Sequence, residues 1–249
     1  MAEKTAAKPG KKTRRKTSRP VLAGKRRLRR AGKWALRIIG GVAGFLLALI
    51  LLFGLVINPP VNIYQMQESW RLGGLDRSWA DWDEIAPVMA RSVVAAEDAN
   101  FCSHWGFDMA AIRAAIAAGG NRGGSTITQQ VVKNVFLWHG RTYLRKAMEA
   151  GLTPGVELFW SKRRILEVYL NVAEFDEGVF GVQAAARHYF GVDARDLSAL
   201  QAARLAAILP DPKGRSASKP SSFVRSRTRA IISGAETIAA DGRSACFEG

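Results

Sequence analysis

The sequence predicts a mainly α-helical domain preceded by one N-terminal transmembrane helix, and three observations predict it. Ile38 to Ile57 is an unbroken run of 20 residues without a charge, enough at roughly 1.5 Å per residue to cross about 30 Å of hydrocarbon. Beyond it, apolar residues recur at three- and four-residue spacing behind Ser, Thr and Asp residues that can cap helices. No stretch alternates convincingly beyond short pieces, so strands are minor.

The 249 residues leave room for one sizeable domain once the membrane segment is set aside. A formal net charge of +16 resembles a nucleic-acid footprint until it is located. Residues 1–37 hold 15 Lys/Arg against the single acid Glu3, whereas the rest of the chain holds 22 against 20. The domain is therefore near neutral, which argues against nucleic acid as a partner. The tail, lacking aromatics before Trp34, is expected to be disordered. Basic residues crowd the N-terminal side of the apolar run, so the N-terminus is expected in the cytoplasm and the domain outside, anchored in the cell inner (cytoplasmic) membrane. A cleaved signal peptide fits less well: the run is long, and Val56-Ile57-Asn58 is a poor cleavage site. The expected organisation is a tail at 1–37, a span at 38–57, a connector at 58–80, one catalytic domain at 81–240 and a C-terminal tail at 241–249.

The connector carries Tyr64, Trp70 and Trp79, rings suited to the headgroup level or to ordinary packing. Pro87 suits the first turn of a helix in which Val88, Met89, Val93 and Ala96 keep the period and Glu97-Asp98 fall at the far end. A carboxylate there is opposed by the helix dipole, which is useful for a base. Asp108 can cap a second helix running to Ala118, with Met109, Ile112 and Ile116 on its packed face. After a turn at 121–124, Ser125 or Thr126 caps a third helix whose apolar side is Ile127, Val131 and Val135. Its polar side pairs Gln129 with Lys133 and Gln130 with Asn134.

Phe136-Leu137-Trp138 form an apolar knot, facing the membrane or the core. Arg141, Arg145 and Glu149 then share a face if that stretch is helical. Pro154-Gly155 interrupts the pattern, and since proline in a helix interior costs about 3 kcal/mol, the helix is expected to kink or to end near Leu152. Ser161 caps a helix built on Ile165, Leu166 and Tyr169 or Leu170. Further helices are expected at 181–190, at 198–208 with a Ser198/Gln201 capping box, and at 222–239. Cys102 and Cys246 show no metal spacing. Outside the cytoplasm they could be oxidised together, but spacing does not set their separation; Cys102 reads as a spectator and Cys246 as part of a frayed terminus.

Carboxylates for proton transfer beside several cations point to chemistry on a phosphorylated substrate. Four motifs sharpen this: Glu97-Asp98-x-x-Phe101-x-x-His104-x-Gly106, Gly124-Ser125-Thr126-Ile127-Thr128-Gln129-Gln130 with Lys133-Asn134, Arg145-Lys146-x-x-Glu149, and Ile165-Leu166-Glu167-x-Tyr169-Leu170-Asn171. In this order, from about Val61 onward, the chain resembles the monofunctional biosynthetic peptidoglycan transglycosylases, family 51 glycosyltransferases, also found as the glycosyltransferase domain of penicillin-binding proteins. The resemblance implies a lysozyme-like helical lobe and a small membrane-proximal jaw that dips into the bilayer. It implies a peptidoglycan glycosyltransferase of cell-wall biosynthesis, which polymerises lipid II onto a lipid-linked glycan through β-1,4 bonds. The donor anomeric carbon is inverted and undecaprenyl pyrophosphate is released.

Chemistry and resemblance together assign the residues. Glu97 is the expected general base, because a sugar hydroxyl is too weak an acid to attack unaided. Asp98 supports it, and Phe101 and His104 shape the site. Lys133, Arg141 and Arg145 steady the leaving diphosphate, Lys133 and Arg141 matching donor pyrophosphate positions. Glu149 matches a second essential glutamate, organising those cations or holding a metal. Ser125, Thr126, Gln129, Gln130, Asn134 and Lys146 complete the substrate-binding set, whereas Glu167 reads as structural. No cofactor is obligatory; a divalent cation, Mg or Mn, is an optional aid. A transpeptidase or another cell-wall-synthesis protein is the expected protein partner.

Two rivals remain. A membrane-anchored lytic transglycosylase or lysozyme-like enzyme would also use a glutamate in a helical lobe, but two-carboxylate hydrolysis has no need of Lys133, Arg141 and Arg145. A tethered, noncatalytic binding module is disfavoured because the excess charge lies in the tail, away from the motifs.

Overall fold

The computed structural model describes Ala6, Gly10 and residues 21–117, 119, 124–140 and 142–249. Two compact units, 1–46 and 47–249, divide the chain, and each is described by itself. Helix α1 covers Val21–Leu55. It thus begins inside the stretch expected to be a disordered tail: Lys, Arg, Leu and Ala are all good helix formers, and an apolar helix already formed downstream removes the cost of nucleation. Within it, Gly32–Leu55 is long and apolar enough to cross a membrane. In the first unit Trp34, Ile38, Ile39, Val42 and Phe45 all stand exposed, as lipid-facing residues would.

The second unit is helical. After the end of α1 come α2 (Ile63–Leu72), α3 (Pro87–Glu97), α4 (Met109–Ala117), α5 (Ile127–Phe136), α6 (Tyr143–Phe159) and α7 (Lys162–Val172). Then follow α8 (Val182–Phe190), α9 (Ala199–Ile208), α10 (Ser222–Ala240) and α11 (Ala245–Glu248). One small sheet joins β1 (Asp76–Arg77) in parallel to β3 (Val179–Phe180), which pairs antiparallel with β2 (Glu174–Asp176). Two packing groups carry the core. Helices α3, α9 and α10 pack on one another, and α5 packs on α6 and α7. Met89, Val93, Leu205, Ile208, Val131, Ile165 and Leu166 are buried between them, each side chain contributing about 1.5–3 kcal/mol of hydrophobic stabilisation.

Local chemistry explains most helix starts. Thr126, Ser161, Ser198 and Ser221 each accept a backbone N–H of the first turn, and Thr126 and Ser198 form capping boxes with Gln129 and Gln201. Helix α4 departs from expectation. None of its residues is buried, and Met109 and Ile116 are exposed where a packed face was expected. Leu137 is buried and Phe136 stacks near Phe53 and Trp160, so the apolar knot belongs to the core.

Helix α6 also departs: it neither ends near Leu152 nor breaks at Pro154, but runs unbroken to Phe159. The proline leaves the Ala150 carbonyl without its helical donor, and Ala150 is exposed, so water can supply one. The glycine beside it makes room for a neighbour. A Cβ on Gly155 would stand 3.3 Å from Ile50 Cδ1, and one on Gly54 would stand 2.3 Å from the Trp160 ring. At these two positions the end of α1 lies against α6, with Trp160 Nε1 donating to the Ile50 carbonyl at 2.7 Å.

The C-terminus overturns the expectation of fraying. Phe247 is fully buried, and Cys246 forms a disulfide with Cys102, 144 residues away in sequence. The connector, likewise, is structured: Arg71 and Lys213 both pair with Glu68 of α2, and Tyr64 donates to Glu174 at 2.7 Å.

Candidate active site

Glu97 is the last residue of α3, half-buried over α5. Gln130 Nε2 donates to its Oε2 at 2.9 Å, and the Tyr169 hydroxyl donates to Gln130 Oε1 at 3.3 Å. Burial pushes the Glu97 carboxyl above the usual carboxylate range, opposed by Gln130 and by the charges of Arg227 and Lys133 and reinforced by Asp98. Among the described residues it has no salt-bridge partner, a condition that suits a base.

Asp98, next in sequence, is bonded to His104 and to the start of α5. It is buried, with Oδ1 2.8 Å from His104 Nε2 and Oδ2 accepting the Ile127 backbone N–H at 3.0 Å. One side chain therefore ties the end of α3 to the following loop and to the start of α5. His104 is held in turn by Lys162, which donates to its carbonyl at 2.9 Å and lies 4.4 Å from the centroid of the buried Phe101 ring. Gly106 closes the loop at φ +82, and a Cβ there would meet Thr153 Cγ2 at 2.5 Å, so glycine is required on both counts.

Thr126 and Gln129 were expected to touch substrate, but the structure does not bring them to the cleft. Both are buried. Thr126 donates to the Gly106 carbonyl at 2.7 Å, while Gln129 Oε1 accepts the Thr126 backbone N–H at 3.0 Å. Their polar atoms are engaged in starting α5. Ser125, one residue earlier, does reach the site and accepts from Lys146 Nζ at 3.0 Å.

The second carboxylate, Glu149, lies on α6 and is 2% exposed. Arg145 NH1 donates to its Oε2 at 2.5 Å, and Lys146 bonds to its Oε1. Arg145 also donates from Nε to the Gly140 carbonyl at 2.7 Å. Helix α6 produces this cluster by its period, since residues three and four apart share a face. Both Glu149 oxygens are thus engaged by cations, and among the described residues no three His, Cys, Asp or Glu side chains gather into a metal site. That donor set does not suit a protein-held divalent ion. Arg141 lies outside the described residues.

Lys133 is within electrostatic reach of both carboxylates. Burial lowers its pKa, as do Arg145 and Lys146, while Glu149 and Glu97 hold it up. It lines a cleft of about 260 Å³ with Gln130, Asn134, Tyr169, Tyr64 and His139. Tyr64 stacks on His139 at 3.7 Å between centroids and 9° between planes. The desolvation this packing brings, with the nearby charges of Lys133, Arg145 and Lys213, holds the imidazole down to about 4. Asn134 Oδ1 lies 3.1 Å from His139 Nε2. An adjoining depression of about 350 Å³ is formed by Thr142, Tyr143, Arg145 and Lys146. A concavity of about 460 Å³ near Trp82 and Arg91 shares none of these residues.

Sequence reasoning missed Tyr64, His139, Lys162, Glu157 and Arg227. Glu157 pairs with Lys162 at 2.8 Å and accepts from Thr128 at 2.5 Å, a buried network that only the packing of α5 on α6 assembles. Glu167 proves structural, accepting the Trp82 backbone N–H at 3.1 Å and Arg164 at 2.8 Å.

Fold and site together define a helical protein with a half-buried carboxylate of raised pKa near a cation-rich cleft suited to a phosphate-bearing substrate. A family model described as transglycosylase matches residues 65–236. A biosynthetic peptidoglycan transglycosylase of Jannaschia sp. (strain CCS1) is 56% identical over 241 residues, covering 97% of this chain and 99% of that protein. One from Pseudomonas putida (strain KT2440) is 52% identical over 211 residues, covering 81% and 86%. One from Pseudomonas entomophila (strain L48) is 54% identical over 181 residues, covering 69% and 77%. The chain belongs to the transglycosylase family and is a glycosyltransferase.

Proposed function

We propose that this enzyme polymerises lipid II into β-1,4-linked glycan for the peptidoglycan wall, with Glu97 as the base. Glu97 accepts the proton of the acceptor sugar's 4-hydroxyl as that oxygen bonds to the donor anomeric carbon. The bond from that carbon to the diphosphate oxygen breaks on the opposite face, so configuration inverts and undecaprenyl pyrophosphate departs. Lys133, Arg145 and Lys146, with Arg141, take up the charge that develops on the diphosphate. Glu149 keeps Arg145 and Lys146 fixed toward it, so they need not reorganise as the bond breaks. Ser125, Gln130 and Asn134 contact the sugars or phosphates.

The single observation that carries this reading is a buried cation, Lys133, within electrostatic reach both of Glu97, held by an amide, and of Glu149, held in ion pairs. Hydrolysis of finished glycan gives such a cation no task. The enzyme sits in the inner membrane with its N-terminus in the cytoplasm, because Lys and Arg crowd that side of the span. Anchoring keeps the site beside two lipid-linked substrates, and a separate transpeptidase crosslinks the product. Lipid II and purified sacculi supplied in parallel test the assignment. Polymer from lipid II is the expected result; soluble muropeptides from sacculi, with no polymer, would overturn it.

A further inference from the structure

The loop that follows Glu97 is gripped from two sides, and only one of them belongs to the site. On the site side Asp98, Thr126 and Lys162 bind its side chains and carbonyls. On the far side three grips come from α10, the turn after it and α11. Arg227 NH2 donates to the Ala96 carbonyl at 2.9 Å, Arg243 NH1 donates to the Ala99 carbonyl at 3.1 Å, and Cys246 is bonded to Cys102. Together they bracket Glu97.

Helix α11 is itself seated by more than the disulfide. The buried Phe247 ring lies 6.4 Å from both Phe101 and Trp82, its carbonyl accepts Arg163 Nε at 3.1 Å, and Glu248 pairs with Arg91 of α3 at 2.7 Å. A four-residue helix has no stability of its own. It is held here by what it touches: α7 carries most of its packing, and the Glu97 loop and Arg91 of α3 hold the rest. Cys102 is therefore no spectator.

We infer that the Cys102–Cys246 bond and Phe247 are positioning residues for glycosyl transfer: they fix the loop after α3 so that the Glu97 carboxylate stays aimed across α5 at the acceptor. The inference rests on Glu97 being the base, as proposed above. Substrate is bound by α5 and α6, which the disulfide does not touch, so opening the bond should slow turnover and leave binding alone.

The test is lipid II polymerisation by the full chain, oxidised and after reduction by a water-soluble phosphine. The phosphine supplies two electrons and takes its oxygen from water, whose protons go to the two thiols. Reduction should lower kcat about fivefold to tenfold with KM changed less than about twofold, the pattern of a misaligned catalytic group. A second readout is the acid limb of the kcat–pH profile. Facing Glu97 are Gln130 and Lys133 from α5, Arg227 from α10, Asp98 on its own loop, and Tyr169 from α7. If the loop loosens and water enters, the burial that raises the Glu97 pKa falls, and the limb should move to lower pH.

Cys102→Ser/Cys246→Ser, which cannot be reoxidised, should match the reduced enzyme. Unchanged kcat and limb after complete reduction, or a change confined to KM, would overturn the inference. Should circular dichroism show that reduction unfolds the protein, Phe247→Leu with the disulfide intact decides: a lowered kcat supports positioning, and a wild-type kcat refutes it. Failure of the oxidised enzyme to polymerise lipid II would instead sink the proposed function, so the two failures are distinct.

Discussion

Two glutamates, Glu97 at the end of α3 and Glu149 within α6, have opposite surroundings. Glu97 ends a helix and accepts one hydrogen bond, from a neutral amide, while burial raises its pKa. Glu149 sits mid-helix with Arg145 on one oxygen and Lys146 on the other. A general base needs an oxygen open to a proton, and both Glu149 oxygens are already held by cations, whereas Glu97 is held by a neutral amide. Residue type alone therefore assigns neither role; the neighbours do.

The sharpest test replaces each by its amide. Glu97→Gln should reduce kcat about a thousandfold, the upper range for a lost general base. Its stability should move the other way. A glutamate whose folded pKa is raised costs stability as pH climbs through the unfolded and then the folded value, and glutamine removes that cost. Glu97→Gln should thus melt above wild type at pH 8 and show no difference at pH 3. Glu149→Gln leaves Arg145 and Lys146 short of a charge partner, and breaking a buried pair costs about 3–5 kcal/mol. Its melting temperature should fall, with a smaller loss of turnover, about a hundredfold. If both variants lose stability equally, the contrast drawn here is wrong.

Much of this contrast was legible before any coordinates. Pro87 and the apolar period place Glu97 at a helix end, and the spacing of Arg145, Lys146 and Glu149 sets one face. The caps at Thr126, Ser161 and Ser198 are local chemistry and read directly. What spacing cannot supply is competition for a side chain. Thr126 and Gln129 match a motif and look available, yet the cap and the Gly106 carbonyl engage them first. Contacts closed over long separations were equally invisible, among them Cys102 with Cys246 and Tyr64 with His139. Helix α4 misled for another reason: none of its residues is buried among the described residues, a state periodicity does not distinguish from burial.

The pH profile of kcat sharpens the comparison further. Glu97 must be ionised and its acid limb should lie above the usual glutamate range; Lys133 must be protonated and its alkaline limb should lie below the usual lysine range. Lys133→Arg should move the alkaline limb upward and leave the acid limb in place. Gln130→Ala removes the bond that holds the Glu97 pKa down. It should shift the acid limb to higher pH and cut kcat about tenfold near pH 6, in keeping with a hydrogen bond to a charged group.

The smallest effect is expected at Pro154. Were the placement of Glu149 governed by a kink, Pro154→Ala would straighten α6 and move the cation cluster against Glu97, with a large loss of activity. The helix continues through the proline, and Thr153 donates to the Glu149 carbonyl at 2.7 Å, pinning the turn before it. Alanine at this position would give the Ala150 carbonyl its missing donor and should raise the melting temperature, by up to about 3 kcal/mol of helix propensity. Turnover should stay within about twofold of wild type, because Glu149 is held by Arg145 and Lys146, neither of which depends on residue 154. A tenfold loss in Pro154→Ala would mean that the bend of α6, rather than the ion pairs around Glu149, sets the geometry of the cleft.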